Sequence, residues 1–354
     1  MGRLPRASAS SCDVDGERVI AFLDAVRDAR IELHSVMLMR HGSVVAEGWW
    51  EPYDADTPHL LYSLSKSFAS VAAGIAESEG LLAMDDLLSA HLPEAASYGT
   101  ATIADALRMS VGHLLDPVLD PSNDAPVLTD GDLRALLAGY APERAPGEIF
   151  TYDQLATFAV TKIVEQAAGC SLIDYLRPRV LDPLGASEAK WYGGETNPGF
   201  TGLYLCTESI ASFGQLLLQR GQWQGEQLVP EAWLATATST QMLNDSAHRF
   251  PPGQPVETDS GLGYGYQFWM SQHGYHAGGA YSQLCLVLPE QDAVVAITAS
   301  TQQGQAMLDA IWAHLIPALE GGGDAAADER LAARLTGLRE PAPVAGLPAL
   351  ARAT

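Results

Sequence analysis

Lysine is scarce in this 354-residue chain, which contains three lysines and 17 arginines. Basic residues are scarce altogether, because 43 acidic against 20 basic side chains give a formal charge of −23 at pH 7. A surface this acidic repels nucleic-acid phosphates and anionic lipids, so we expect neither nucleic acid nor membrane as a partner. Only lysine, and not arginine, can lose its proton when it is desolvated. The positions that keep a lysine are Lys66, Lys162 and Lys190.

Cysteine and long apolar runs are equally scarce. The cysteines form no Cys-x-x-Cys pair, which argues against a zinc site or a disulfide framework; they are Cys12, Cys170, Cys206 and Cys285. The histidines show no His-Glu-x-x-His spacing, so no metal and no other cofactor is expected. No stretch reaches the roughly 18 apolar residues of a membrane helix, and residues 1–16 lack the apolar core of a secretory signal. We therefore expect a cytoplasmic protein.

Hydrophobic periodicity predicts strands near both ends of the chain and helices between them. The predicted strands are 35–39, 43–46, 264–270, 275–277, 283–288 and 293–299, the first two joined as a hairpin by His41-Gly42. The predicted helices include 17–29, 64–80, 153–168, 209–220 and 304–319. This pattern predicts an α+β fold, in which one antiparallel sheet is formed from both chain ends with flanking helices, plus a helical lobe.

The same pattern predicts how the chain divides. Residues 15–82 and 255–320 should form a discontinuous sheet domain, and residues 83–254 a mostly helical lobe. Residues 115–127, rich in Asp and Pro, are predicted to be loop. The run of Gly, Ala and Asp at 321–328 is predicted to be a flexible linker, so that 321–354 forms a linker and a C-terminal tail.

Lys66 lies three residues after Ser63, in a Ser-x-x-Lys arrangement at the start of the predicted buried helix 64–80. At this spacing two side chains share one face of a helix. A serine hydroxyl is a poor nucleophile until a base takes its proton, and a partly buried lysine can be that base or can lower the barrier electrostatically. A second match, Ser187 to Lys190, has no apolar helix behind it, and we interpret it as loop.

Tyr152 precedes the predicted helix 153–168 and supplies another titratable group. A phenol near a cationic lysine can have its pKa lowered and can relay a proton. The alternative nucleophile motif, Gly-x-Ser-x-Gly, is missing, because Arg108 stands where the first glycine before Ser110 would be. The residues therefore indicate a serine nucleophile that is activated by lysine and not by histidine.

Several stretches in order along the chain resemble the serine β-lactamase-related family, which comprises class C β-lactamases, D,D-carboxypeptidases and esterases and amidases of the same fold. The resemblance covers about 15 to 320, and its segments are 61–70, 103–113, Tyr152-Asp153-Gln154, 182–185, 202–205, 213–216, 263–269 and 275–289. It implies that Ser63 is the acyl-accepting nucleophile and that Lys66 and Tyr152 share the acid–base work. It also implies that the Ser63 backbone N–H is one oxyanion donor.

The strand expected to carry the family's Lys/His-Thr-Gly box departs from that pattern. His276-Ala-Gly could be the box, with the Gly279 N–H as the second oxyanion donor. The resemblance to related hydrolases suggests counting back from Gln283 instead, which gives Ala-Gly-Gly279 as the box and the Ala280 N–H as donor. This register is preferred, with His276 as a flanking residue. Gln154 departs too, because it is one methylene longer than the Asn of the family's Tyr-x-Asn.

These features predict a serine hydrolase that cleaves small-molecule esters or amides through an acyl-enzyme on Ser63. The missing Lys-Thr-Gly argues against β-lactams as substrates. Two alternatives stay open, a true β-lactamase or D,D-peptidase and a binding module that kept the fold and lost turnover.

Overall fold

The computed structural model describes residues 3–120, 129–192, 197–244 and 258–338. Within these ranges the helices are α1 Gly16–Asp28, α2 Ser65–Ser78, α3 Leu88–His91, α4 Ile103–Leu107, α5 Asp130–Gly139, α6 Gln154–Ala168, α7 Leu172–Leu176, α8 Thr207–Leu218, α9 Glu231–Ala237, α10 Gly304–Ala310, α11 Ile316–Ala318 and α12 Ala325–Thr336. The strands are β1 Leu33–Arg40, β2 Ser43–Trp49, β3 His59–Leu60, β4 Lys190–Trp191, β5 Leu203–Leu205, β6 Gln222–Trp223, β7 Glu226–Gln227, β8 Trp269–Ser271, β9 Gly274–Gly279, β10 Gln283–Leu288 and β11 Ala293–Ala299.

One antiparallel sheet joins the two ends of the chain. Its six strands run in the order β2-β1-β11-β10-β9-β8. The β1–β2 hairpin turns at His41 and Gly42, which both have positive φ, as tight hairpin turns that match the strand twist require. The predicted fold class is confirmed, whereas the division into a sheet domain and a helical lobe stays a prediction.

Side chains alternate between the two faces of this sheet, and helices cover both faces. On β1 and β11, Met37 and Val294 belong to the core that contains α2 and α8. Their strand neighbours Leu38 and Val295 belong to the core that contains α1 and the C-terminal helices. Burial on both faces explains why β10 and β11 read as continuous apolar runs.

Helix α2 is buried along most of its length and packs against α6. Its Phe68 stacks on Phe213 of α8, with ring centroids 3.9 Å apart. In the first turn, the Ser65 hydroxyl accepts a hydrogen bond from the Leu203 N–H at 3.1 Å, and the Ser67 hydroxyl donates to the Gln267 carbonyl at 2.7 Å. These bonds tie the start of α2 to strand β5 and to the turn at Gln267.

The predicted strand 264–270 is wrong over most of its length, because only Trp269 and Met270 of that stretch lie in β8. The chain reverses at Gln267, whose φ is +67°, and the Gly265 N–H donates to the Phe268 carbonyl at 2.8 Å. The buried Gln267 side chain bonds to Thr157 and to the Leu107 carbonyl. Satisfying this buried amide therefore draws the segment away from the sheet.

The predicted linker 321–328 is also wrong in its second half, because α12 begins at Ala325. Asp324 caps that helix by accepting from the Ala327 N–H at 2.7 Å, and Leu331 is buried against the core beside α1.

The predicted helix 304–319 is interrupted by a π-helical turn at Ile311–Leu315. The predicted tail beyond 340 and residues 121–127 of the predicted loop lie outside the described residues. Across the described ranges, no helix is both long and apolar enough to cross a membrane.

The end of β9 touches the turn before α2. A Cβ placed on Gly279 would lie 2.1 Å from the Leu61 carbonyl oxygen, far inside van der Waals contact. Glycine therefore lets this strand approach the turn that carries Ser63.

Replacing Gly279 with alanine should lower the free energy of unfolding by about 1–3 kcal/mol, because the added Cβ must push β9 away from Leu61. Urea unfolding followed by circular dichroism measures the change. Gly131 in α5 is the matched control, because a Cβ there meets no atom closer than 3.7 Å. Equal stability of the two alanine variants would contradict the close contact.

Candidate active site

Ser63 lies in a single 3-10 turn, Tyr62–Leu64, that leads directly into α2. Tyr62 has φ +48°, a left-handed conformation that is unusual for a bulky residue. The residue before the turn is fixed to strand β5, because the Leu61 N–H donates to the Leu203 carbonyl at 2.8 Å. Ser63 is thereby placed at the N-terminal end of a buried helix, beside the positive end of its dipole.

Lys66 lies in the first turn of α2 and is 1% exposed. Its Nζ is 3.2 Å from Ser63 Oγ, 2.5 Å from Gln154 Oε1 and 3.0 Å from the Phe200 carbonyl oxygen. Burial lowers the pKa of Lys66 to about 7, and the carboxyl groups of Asp116 and Asp153 oppose that shift. The lysine can therefore exchange a proton near neutral pH.

A neutral lysine amine carries two N–H bonds and one lone pair, and Nζ of Lys66 has three oxygen neighbours. Gln154 Oε1 and the Phe200 carbonyl oxygen can only accept hydrogen bonds. They take both N–H bonds of a neutral Lys66, so that the lone pair points to the remaining neighbour, Ser63 Oγ. This arrangement can accept the hydroxyl proton of Ser63.

Tyr152 closes the other side of Ser63 and is 6% exposed. Its ring stacks on Trp269, with centroids 5.4 Å apart, and lies 4.8 Å from Lys66 Nζ. Burial raises the pKa of Tyr152 well above its ordinary value, although a hydrogen bond with Ser63 acts in the opposite direction. Tyr152 is therefore a neutral phenol at neutral pH and can donate a proton.

Gln154 is the first residue of α6, and its side chain reaches Lys66 at the N-terminal end of that helix. Asp153, the N-cap, accepts from the Ala156 N–H at 3.1 Å and starts the helix at this point. Gln154, which stands where the family's Tyr-x-Asn has Asn, thus still places an amide oxygen in contact with Lys66.

The third predicted motif lies at the end of β9, next to the Ser63 turn. Gly279 pairs with Gln283 of β10, and Ala280 starts a tight turn in which Tyr281 and Ser282 have positive φ. The Gln283 side chain donates to the Ala280 carbonyl at 3.2 Å and to the Tyr281 carbonyl at 3.3 Å. Gln283 therefore braces the turn that presents Ala280.

His276 lies on the same strand and hydrogen-bonds through Nδ1 to Ser271 Oγ at 2.7 Å. Burial lowers the pKa of His276 to about 4, against the opposing charge of Asp259. The imidazole is therefore neutral at neutral pH and gives the site no positive charge.

A pocket of about 370 Å³ opens between these elements. Ser63 and Tyr152 line one end of it, and the β9 segment with His276, Gly279 and Ala280 lines a side. Other elements contribute apolar residues to the lining, Trp269, Leu284, Met307 and Leu308, together with polar ones such as Asp259 and Gln305. A space of this size accommodates a small organic molecule.

The structure brings the predicted residues Ser63, Lys66, Tyr152 and Gln154 into mutual contact and leaves the second Ser-x-x-Lys match apart. Ser187 and Lys190 are both exposed. The remaining lysine, Lys162, forms ion pairs with Asp130 and Glu165, each at 2.8 Å.

Sequence reasoning missed three contributors to this site. The Phe200 carbonyl is a backbone group, which leaves no side-chain signal. Asp116 lies in a stretch that reads as an ordinary polar loop, yet it is buried, and burial together with the charge of Asp153 raises its pKa to about 7. His113 is one histidine among nine, and only the fold places it against Asp153 at 2.7 Å.

Comparisons with known proteins identify the family of this chain. A family model described as Beta-lactamase matches residues 21–318. The 6-aminohexanoate-dimer hydrolase of Paenarthrobacter ureafaciens is 23% identical over 285 residues, which cover 73% of this chain and 70% of that protein. The lovastatin esterase of Penicillium rubens is 26% identical over 171 residues, which cover 40% of this chain and 41% of the esterase.

Among solved structures, a penicillin-binding protein from Bacillus halodurans superposes with a TM-score of 0.65 at 18% identity. The superposition covers 82% of this chain and 99% of that one, and at this identity it shows a shared fold. Since the family model spans most of the sequence, this chain belongs to the β-lactamase family of serine hydrolases.

Proposed function

We propose that this protein hydrolyses small-molecule esters or amides through an acyl-enzyme on Ser63. The observation that carries the proposal is the environment of Lys66, a buried amine 3.2 Å from Ser63 Oγ whose two other oxygen neighbours are hydrogen-bond acceptors. A buried lysine with a pKa near neutrality suits a general base at physiological pH.

In the acylation step, Ser63 Oγ attacks the substrate carbonyl carbon while Lys66 Nζ takes the hydroxyl proton. The backbone N–H groups of Ser63 and Ala280 donate to the resulting oxyanion. The tetrahedral intermediate then expels the leaving group, which takes a proton from the Tyr152 phenol, and Tyr152 is reprotonated from Lys66. In the second half of the reaction, water attacks the acyl carbonyl carbon and gives a proton to the same Lys66–Tyr152 pair. The bond to Ser63 Oγ then breaks and the serine takes that proton, which releases the acid and restores the free enzyme.

Neutral substrates fit the pocket better than β-lactams in this proposal. His276 is uncharged, and Asp259 is the acidic residue among the described residues that line the pocket. A substrate carboxylate would meet no positive partner in that lining. Two relatives are named 6-aminohexanoate-dimer hydrolase and lovastatin esterase, and these names support amide or ester hydrolysis as the proposed activity.

Replacing Ser63 with alanine should abolish covalent labelling by a fluorophosphonate probe and lower ester hydrolysis by about three orders of magnitude or more, because the nucleophile is lost. Intact-protein mass spectrometry and a p-nitrophenyl ester assay measure the two effects. Ser187→Ala is the matched control and should keep both properties.

Absence of an adduct on the folded parent would contradict the proposal and favour a binding module with this fold. Faster turnover of a β-lactam than of any ester or amide would instead favour a β-lactamase or D,D-peptidase.

The kcat/KM of the parent for an ester should rise with pH through about 7, because Lys66 must lose its proton before it can accept one from Ser63. Lys66→Arg should remove this rise, the acid limb of the pH profile, together with most of the activity, since a guanidinium cannot be deprotonated in this range. A stopped-flow or plate pH profile makes the measurement. The control is Lys190→Arg, which changes an exposed lysine. A parent profile that is flat between about pH 6 and 8 would contradict neutral Lys66 as the base.

Tyr152→Phe should slow hydrolysis of an anilide about 10²-fold more than hydrolysis of the matching p-nitrophenyl ester, because an amine must be protonated to leave and a nitrophenolate need not be. The ratio of the two kcat/KM values measures the effect. Tyr264→Phe removes the same hydroxyl from a buried neighbour, whose ring centroid is 6.1 Å from that of Tyr152, and should leave the ratio unchanged. An unchanged ratio in Tyr152→Phe would exclude Tyr152 as the proton donor.

A further inference from the structure

A buried histidine and a buried carboxyl group lie next to each other beside the segment that carries Tyr152 and Gln154. His113 Nδ1 is 2.7 Å from Asp153 Oδ2, and both side chains are fully buried. Asp153 is the residue between Tyr152 and Gln154 and is also the N-cap of α6. The mechanism proposed above gives neither His113 nor Asp153 a task.

The hydrogen bonds of His113 indicate its protonation state. Its Nδ1 faces the Asp153 carboxylate, and its Nε2 faces the Tyr140 carbonyl oxygen at 3.3 Å. Both partners are acceptors, and only the doubly protonated imidazolium has an N–H for each. Burial alone would lower the pKa of His113, but the charge and hydrogen bond of Asp153 and the Tyr140 carbonyl raise it.

His113 also holds the segment that carries Tyr152 and Gln154. The Thr151 hydroxyl donates to the His113 carbonyl, and the Thr151 N–H donates to the Met109 carbonyl at 2.9 Å. With the His113–Asp153 pair, these bonds fasten residues 151–153 to the segment 109–113. A shift of His113 would therefore move Gln154, whose oxygen contacts Lys66.

The electrostatic effect on Lys66 follows from the charges packed around it. The carboxyl groups of Asp116 and Asp153 favour its ammonium form. Other titratable groups face the pair from neighbouring elements: the phenols of Tyr98 and Tyr140, and the carboxyl groups of Asp116 and Glu143. Within this described set, His113 is the group that adds a positive charge next to Asp153.

We propose that His113 is a positioning residue whose positive charge balances Asp153 and so lets Lys66 become neutral beside Ser63. Without that charge, the Asp153 carboxylate would act on Lys66 uncompensated, and the lysine would keep its proton to a higher pH. This inference rests on the proposed function only for the task it gives to neutral Lys66, since the electrostatic coupling exists whether or not the protein turns over a substrate.

The coupling can be measured without a substrate, because the chain contains only three lysines. Labelling lysine with ¹³C at Cε gives three titrating NMR signals, and Lys66→Arg assigns the one from Lys66. In His113→Asn the new amide can still donate to Asp153 but carries no charge. The pKa of Lys66 should then rise by about one unit, as expected for an uncompensated neighbouring charge.

Asp153→Asn and the double variant complete the design. Removing the carboxylate alone takes away a negative charge that favours the ammonium form of Lys66, so the pKa of Lys66 should fall below its parent value. Removing both charges in His113→Asn/Asp153→Asn should return it to near the parent value or below. Tyr98→Phe is the uncharged control, because Tyr98 packs edge-on against His113 with ring centroids 5.1 Å apart, and it should leave the pKa unchanged.

The acid limb of kcat/KM for an ester should move with the NMR value, by about one pH unit upward in His113→Asn. A purely structural role would lower kcat and leave the limb where it is. An unchanged Lys66 titration in folded His113→Asn overturns the inference, as does a shift of the same sign in Asp153→Asn. If His113→Asn does not fold, the Asp153→Asn variant decides. A fall in the pKa of Lys66 then supports the inference, and a rise overturns it. A coupling seen by NMR in a parent that hydrolyses nothing would refute the proposed function alone.

Discussion

Burial of the Lys66 amine is the interaction on which the rest of the site depends. An ammonium group removed from water is destabilised unless it is paired, and among the described residues no carboxylate pairs with Lys66. An amide oxygen and a backbone carbonyl satisfy its N–H bonds instead, which is enough for a neutral amine and weak compensation for a charged one. The contacts of Lys66 thus favour the form that can accept a proton.

The fold supplies those contacts from distant parts of the chain. Helix α2 places Lys66 one turn after Ser63, the start of α6 brings Tyr152 and Gln154, and a loop brings the Phe200 carbonyl. The same burial has opposite effects on two neighbours, since it lowers the pKa of Lys66 and raises that of Tyr152. Two groups whose protonation preferences are driven apart in this way are suited to act as base and acid.

The sequence predicted the local features of this arrangement and missed the tertiary ones. The Ser63–Lys66 spacing and the β1–β2 hairpin follow from helical and strand periodicity, which a single sequence displays. The turn at Gln267 could not be foreseen, because the buried partners that satisfy its amide lie elsewhere in the chain. Helix α12 was missed because the linker was predicted from composition. The glycines at 321–323 were given more weight than the Asp324 cap and the apolar Leu331. The partners of Lys66 were missed or doubted for a similar reason, since Gln154 is 88 positions away.

Neutron diffraction from a deuterium-exchanged crystal grown above pH 7 would show whether Lys66 is neutral beside Ser63, because it locates the hydrogen isotopes on Nζ. We expect two deuterons on Nζ, one towards Gln154 Oε1 and one towards the Phe200 carbonyl, with the Ser63 deuteron pointing at Nζ. Three deuterons on Nζ, one of them directed at Ser63 Oγ, would contradict this expectation, since the lysine would then be a permanent cation and the serine would lack a base.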